Sequence, residues 1–116
     1  MSENTLDKFK SFYGTTSYHD YNGTYAYTDG INYLVYKLAS SVKTKKLMKF
    51  IIKNMNYQNP FGCFKLIVTK EYTKIASYSA DNLLVNEQIL WKFCKLTEGE
   101  YKMFCYNYII LAATEY

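Results

Sequence analysis

Arginine is absent from this chain of 116 residues, in which all fourteen basic side chains are lysine and the formal charge is +4. Without the planar guanidinium fork there is no bidentate grip on phosphate or guanine, so a sequence-reading nucleic-acid binder is not expected. Cysteine is sparse. Cys63, Cys94 and Cys105 are odd in number and lack C-x-x-C spacing, which excludes a disulfide framework or zinc knuckle and fits a reducing compartment. No apolar run approaches the roughly 18 to 20 residues that cross a bilayer, and Met1-Ser2-Glu3-Asn4 has no leader character. A cytoplasmic protein without a membrane partner is the expectation. Gly14, Gly23 and Gly30 form neither a G-x-x-x-x-G-K-S/T nor a G-x-G-x-x-G cradle, so nucleotide hydrolysis is not expected.

Aromatic residues, by contrast, are abundant. They make up 19% of the chain against 21% charged residues, a balance that excludes disorder and predicts one folded domain over residues 1–116. Seven of the fourteen tyrosines fall between residues 13 and 36, with the only histidine and three of the five glycines.

Along the chain, Leu6, Phe9 and Tyr13 stand at helical spacing, which predicts a short amphipathic helix over 5–13 ended by Gly14. Between Thr15 and Tyr27 no period is sustained; Asn22-Gly23 predicts a tight turn between short strand-like pieces around Tyr18 and Tyr25. Thr28-Asp29 reads as a helix cap, followed by an apolar stripe of Ile31, Leu34, Val35, Leu38 and Val42. Ser40-Ser41 breaks that helix. A second stripe of Leu47, Met48, Ile51, Ile52 and Met55 then stands opposite Lys45, Lys46, Lys49 and Lys53, and Asn59-Pro60 and Gly62 end it.

From Cys63 onward the period is two. Strands are predicted around Phe64–Val68, Ile75–Tyr78, Ile89–Cys94, Tyr101–Tyr106 and Ile109–Ala113, with all three cysteines on strands. Short links favour an antiparallel meander. The expected fold class is α+β, with N-terminal helices packed on one face of a four- or five-stranded, mainly antiparallel β-meander. An uncovered edge, above all the final strand, is where a twin chain would pair into a homodimer.

Catalytic chemistry finds little support. A thiolate needs a nearby base, and His19 is the only imidazole for three cysteines; Cys63, Cys94, Cys105, His19 and Asp20 lack metal-site spacing; Asp20 and Asp29 act as paired carboxylates only if folding joins them. Neither an enzyme nor a cofactor is expected. Two binding surfaces stand out: the tyrosine segment with Tyr18, His19, Tyr21, Tyr25 and Tyr27, whose mix of rings with Gly, Ser and Asn is that of paratopes, and the lysine row Lys45, Lys46, Lys49 and Lys53. Each has a plainer reading, as a roof over the core and as a solvated helix face.

Three segments, Phe12-Tyr13-Gly14-Thr15, Tyr27-Thr28-Asp29-Gly30-Ile31-Asn32-Tyr33-Leu34 and Leu111-Ala112-Ala113-Thr114-Glu115-Tyr116, carry a resemblance. Their order resembles that of an uncharacterised family of small bacterial, plasmid and phage proteins with F-x-G-T, Y-T-D-G-V-x-Y-L and L-P-S-E-Y elements. This chain departs from it in the lysine-rich helix that replaces a tryptophan-containing one, and in Ala112-Ala113-Thr114 for L-P-S. The resemblance implies a compact α+β domain of mobile-element origin and supplies no catalytic residue. The leading expectation is a protein-interaction module, an inhibitor of a host defence machine such as a CRISPR effector. The alternative is a nucleic-acid binder working through lysine charge and tyrosine stacking.

Overall fold

A computed structural model describes residues 4–14, 17–55, 61–92 and 94–116. The described residues form three α-helices, α1 (Thr5–Lys10), α2 (Asp29–Leu38) and α3 (Ser41–Lys53), with two short strands between the first and the second. Seven strands form one open sheet: β1 (His19–Asp20), β2 (Ala26–Tyr27), β3 (Phe61–Val68), β4 (Thr73–Tyr78), β5 (Leu84–Trp91), β6 (Gly99–Tyr106) and β7 (Ile109–Ala112), in the spatial order β1-β2-β7-β6-β3-β4-β5. All neighbours are antiparallel except β2 and β7. The class is therefore α+β with a mixed, mostly antiparallel sheet.

The helices follow from their local chemistry. Asn4 caps α1 by accepting from the Asp7 amide, and Phe9 is buried edge-on against Tyr101. Tyr13 lies beyond that helix and is 81% exposed, so the expected α1 was too long at its C-terminal end. Between α2 and α3 the chain turns at Ala39, a left-handed residue (φ 51°), and Ser40 Oγ accepts from the Lys43 amide to start α3. Val42 thereby leaves the α2 stripe and is exposed. Leu47, Met48, Phe50 and Ile51 are buried in α3, and Phe50 meets Phe64 edge-on, which fixes the helix-bearing face of the sheet.

That face carries Phe64, Leu66 and Val68 of β3, Ile75 of β4, Tyr101, Met103 and Cys105 of β6, and Ile110 and Ala112 of β7, all buried. Because side chains alternate, the residues between them face the other way.

The strands are not a simple meander. β3, β4 and β5 run in sequence, but β6 returns to the far side of β3, so the link between β5 and β6 has to span the end of the sheet. Three strand spacings of about 4.8 Å are well within reach of seven residues. The crossing is anchored: Thr5 and Thr97 exchange bonds, amide to hydroxyl, at 2.9 and 2.7 Å, and the Tyr101 hydroxyl, 2.7 Å from Thr5 Oγ1, donates to the Thr97 carbonyl at 2.7 Å. Cys94 belongs to this crossing rather than to a strand, with its Sγ 3.3 Å from Thr73 Oγ1. The strand expected to run through Phe93 starts and ends earlier, and Phe93 itself lies outside the described residues. The polar breakers at Asn59-Pro60 also fall outside them.

The final strand, β7, is not an edge. β2 pairs with it in parallel, Ala26 opposite Ile109 and Tyr27 opposite Ile110, which draws the tyrosine segment into the main sheet. The free edges are β1 and β5.

Candidate binding surface

The tyrosine segment is a small hairpin. Asp20 accepts from the Gly23 amide at 3.0 Å, and Asn22 Oδ1 accepts from the amides of Thr24 and Tyr25 at 3.0 and 2.8 Å. Gly23 has φ +83°, a conformation that costs glycine nothing. Tyr21, Tyr25 and Tyr27 are partly buried against the core, whereas Tyr18 is 61% exposed. Tyr25 meets Tyr108 edge-on, and burial, followed by the nearby Cys105 and Tyr108, raises its hydroxyl above the ordinary value of 10.0.

His19 stacks on Tyr27 and binds Asp29 through Nε2, 3.1 Å from Oδ1, while Ser17 Oγ donates to the same oxygen at 2.8 Å. Asp29 therefore ties residues 17–19 to the start of α2; Thr28 is the N-cap, as expected, but its side chain makes no capping bond. The helix start is held from the other end of the chain. Glu115 accepts from Thr28 Oγ1 (2.6 Å), the Gly30 amide (3.2 Å) and the Ala112 amide (3.1 Å). A Cβ on Gly30 would run into that carboxylate. Two of the three segments singled out in the sequence thus meet in one latch.

Asp20 and Asp29 do different jobs and form no carboxylate pair. Among the described residues no hydrogen bond joins His19 to a cysteine, and no group of three His, Cys, Asp or Glu side chains converges as a metal site would require. Cys105 is fully buried, and desolvation pushes its thiol up to about 12, so it is not a ready nucleophile. Burial also raises the Cys63 thiol above its ordinary 9.0.

Lys45, Lys46, Lys49 and Lys53 line the exposed side of α3. They point away from the sheet that α3 covers, so the lysine row and the far face of the sheet cannot serve one ligand together.

That far face is the surface that the sequence reading missed. Its cross-strand pairs are Phe61–Tyr106, Cys63–Phe104 and Lys65–Lys102, and Phe104 also faces Leu111 of β7. Phe61 lies 5.1 Å from Phe104, 6.0 Å from Tyr106 and 5.4 Å from Tyr116, ring centre to ring centre, and Phe104 lies 5.4 Å from Tyr116. Tyr106 is 49% exposed and Tyr116 73%. Among the described residues, no helix lies across these rings. Beside them is a hollow of about 190 Å³ lined by Cys63, Lys65, Tyr78, Lys102 and Phe104.

Two lysines there are matched, whereas Lys102, opposite Lys65, is exposed and has no ion pair among the described residues. Lys65 is 3.7 Å from Glu100 with its ammonium 4.5 Å from the centre of the Tyr78 ring, and Lys74 is 3.0 Å from Glu87. The aromatic signal was present in the period-two alternation of Phe61, Phe104 and Tyr106. It was hidden because sequence alone does not say which sheet face the helices cover.

Two larger clefts border this face. One of about 550 Å³ has Lys53, Asn54, Met55, Phe61, Ser77 and Asn86 on its walls, and one of about 540 Å³ lies between Phe9, Tyr13, Lys102 and Thr114. The second also has Glu100 and Lys10 on its walls, and the first Cys63, whose thiol burial raises rather than activates. No family model, curated protein or solved structure matches this chain. No helix among the described residues is long and apolar enough to cross a membrane.

Proposed function

We propose that this protein is a protein-binding module whose contact surface is the helix-free face of the sheet, centred on Phe61, Phe104, Tyr106 and Tyr116. The observation that carries the reading is a cluster of four rings built around Phe61, with Tyr106 and Tyr116 exposed and Phe61 and Phe104 half-buried, bordered by Lys65 and Lys74, each matched to a glutamate, and by the exposed Lys102. Interface centres are enriched in aromatic residues and poor in unmatched charge, with polar groups at the rim. A hollow of about 190 Å³ suits one inserted side chain and is below the usual size of a small-molecule site.

Single-stranded nucleic acid also stacks on rings, but it needs cations free to meet phosphates. Here Lys65 and Lys74 are matched to glutamates, which leaves Lys102 to meet a phosphate on this face, and the α3 lysines point away from the sheet. The rings also pack tilted or edge-on to one another, which hides part of the flat surface that bases would occupy. A protein partner is favoured. The mobile-element origin implied by the resemblance makes a host defence effector the first partner to test, in the role of a small inhibitor.

The experiment is affinity capture from host lysate with wild-type protein and with the pair Phe104→Ser and Tyr106→Ser, thermal melting confirming that both fold. A partner held by the wild type and lost by the pair supports the reading. Binding of single-stranded oligonucleotides that weakens steeply with salt would replace it with the nucleic-acid alternative.

A further inference from the structure

The two edges of the sheet are finished differently. β1 offers only His19 and Asp20, and so short a strand gives another chain little backbone to pair with. β5 runs for eight residues, bonded to β4 on one side, with no described strand on the other. It contains no proline and no lysine, and Leu84, Val85 and Ile89 are 53%, 59% and 63% exposed. Its register shifts lie near the ends, at Ser77/Tyr78 and Thr73/Lys74, and leave Asn86–Ile89 regularly paired. A long, regular, apolar edge of this kind is a template for strand addition.

The order of residues indicates what would be added. Outward from Glu87, β5 reads the same in both directions by chemical type: amides at Asn86 and Gln88, β-branched side chains at Val85 and Ile89, then Leu84 and Leu90. An antiparallel strand of the same sequence, with its two-fold axis at Glu87, sets Asn86 against Gln88 and Val85 against Ile89 on both sides of the axis. An unrelated peptide gains nothing from such an order, whereas in a two-fold pair of copies it sets amide beside amide and β-branched beside β-branched side chain on both sides of the axis. We infer that two copies of this chain pair through β5, antiparallel and centred on Glu87, joining their sheets edge to edge.

Charge fits the same register. Two Glu87 carboxylates would face each other across the axis, at a spacing where like charges repel. Each, however, is already 3.0 Å from its own Lys74 ammonium. The two diagonal pairs then meet at the axis, Lys74 with Glu87 and the same two residues of the second copy, with no net charge.

Solution mass by light scattering, over a concentration series, tests the pairing. The expected species is twice the 13.7 kDa chain, returning to a single chain when Val85→Lys and Ile89→Lys are combined. Both sites are exposed, so melting should show a folded variant. A wild type that stays at single-chain mass, or a dimer that the two lysines leave intact, overturns the inference. The register is read by cysteine placement in a Cys63→Ser background. Glu87→Cys on the axis brings its twin within about 5.5 Å between Cα atoms and should cross-link on mild oxidation, whereas Asn86→Cys stands about 8 Å from its twin and should not. Cross-linking at 86 without cross-linking at 87 would also overturn it.

Discussion

Replacing Glu115 by alanine removes a carboxylate that holds three groups at once: the Thr28 hydroxyl, the Gly30 amide at the start of α2 and the Ala112 amide at the end of β7. Loss of a helix cap costs about 1 kcal/mol and up to about 2. Thr28 is buried, so its hydroxyl keeps only a long, 3.4 Å contact to the Ile110 carbonyl. Part of the loss is recovered by water reaching the partly exposed amides, and we expect about 2 kcal/mol in total. At about 2.1 cal/mol/K per residue, 116 residues give an unfolding entropy near 0.24 kcal/mol/K, so the melting temperature should fall by about 8 °C. Glu115→Gln keeps one acceptor oxygen and should recover part of that fall. The assay is calorimetry at neutral pH. Melting of Glu115→Ala within about 2 °C of wild type, equivalent to roughly 0.5 kcal/mol on the same scale, would refute the latch.

Other consequences follow from the same contacts. Gly30→Ala should destabilise the wild type, because its new methyl displaces the Glu115 carboxylate, and should cost much less in a Glu115→Ala background; chemical denaturation of the four proteins in the cycle measures the coupling. Tyr101→Phe removes the hydroxyl shared by Thr5 and the Thr97 carbonyl and should cost about 1 to 2 kcal/mol by urea titration. Alkaline pH should destabilise the fold. The Cys105 thiol is raised by burial from 9.0 to about 12, so the unfolded chain loses this proton first; the stabilisation is complete below pH 9 and is lost as pH climbs toward 12. Tyr101, raised above 10.0 chiefly by burial, acts in the same direction at higher pH. Cys105→Ala should flatten the fall in melting temperature between pH 9 and pH 10, and an unchanged slope would count against a buried, neutral thiol.

The helices were legible in the sequence because their signals are local. The Ser40 break, the stripe through Leu47, Met48 and Ile51, and the Asn22-Gly23 turn each depend on neighbours within a few positions. Strand positions were legible for the same reason, since period two is local. What escaped was long-range. β6 pairs with β3 rather than with β5, from Phe61 with Tyr106 to Val68 with Gly99, and the link that allows it is anchored by Thr5 on Thr97, so no short pattern encodes the placement. Thr28 is the N-cap that the sequence indicated, but the carboxylate that accepts from the Gly30 amide, Glu115, lies 85 positions away and no local pattern announces it. The tyrosines split the same way: the hairpin was visible, but its docking on β7, which half-buries Tyr21, Tyr25 and Tyr27, was not.

The most direct test of the binding surface compares three folded proteins in one quantitative capture experiment: wild type, the Phe104→Ser and Tyr106→Ser pair, and Tyr18→Ala, whose exposed ring lies in the tyrosine segment. The account predicts a partner retained by wild type and Tyr18→Ala and released by the Phe104/Tyr106 pair. Retention by that pair together with loss by Tyr18→Ala would contradict it and move the surface to the N-terminal hairpin.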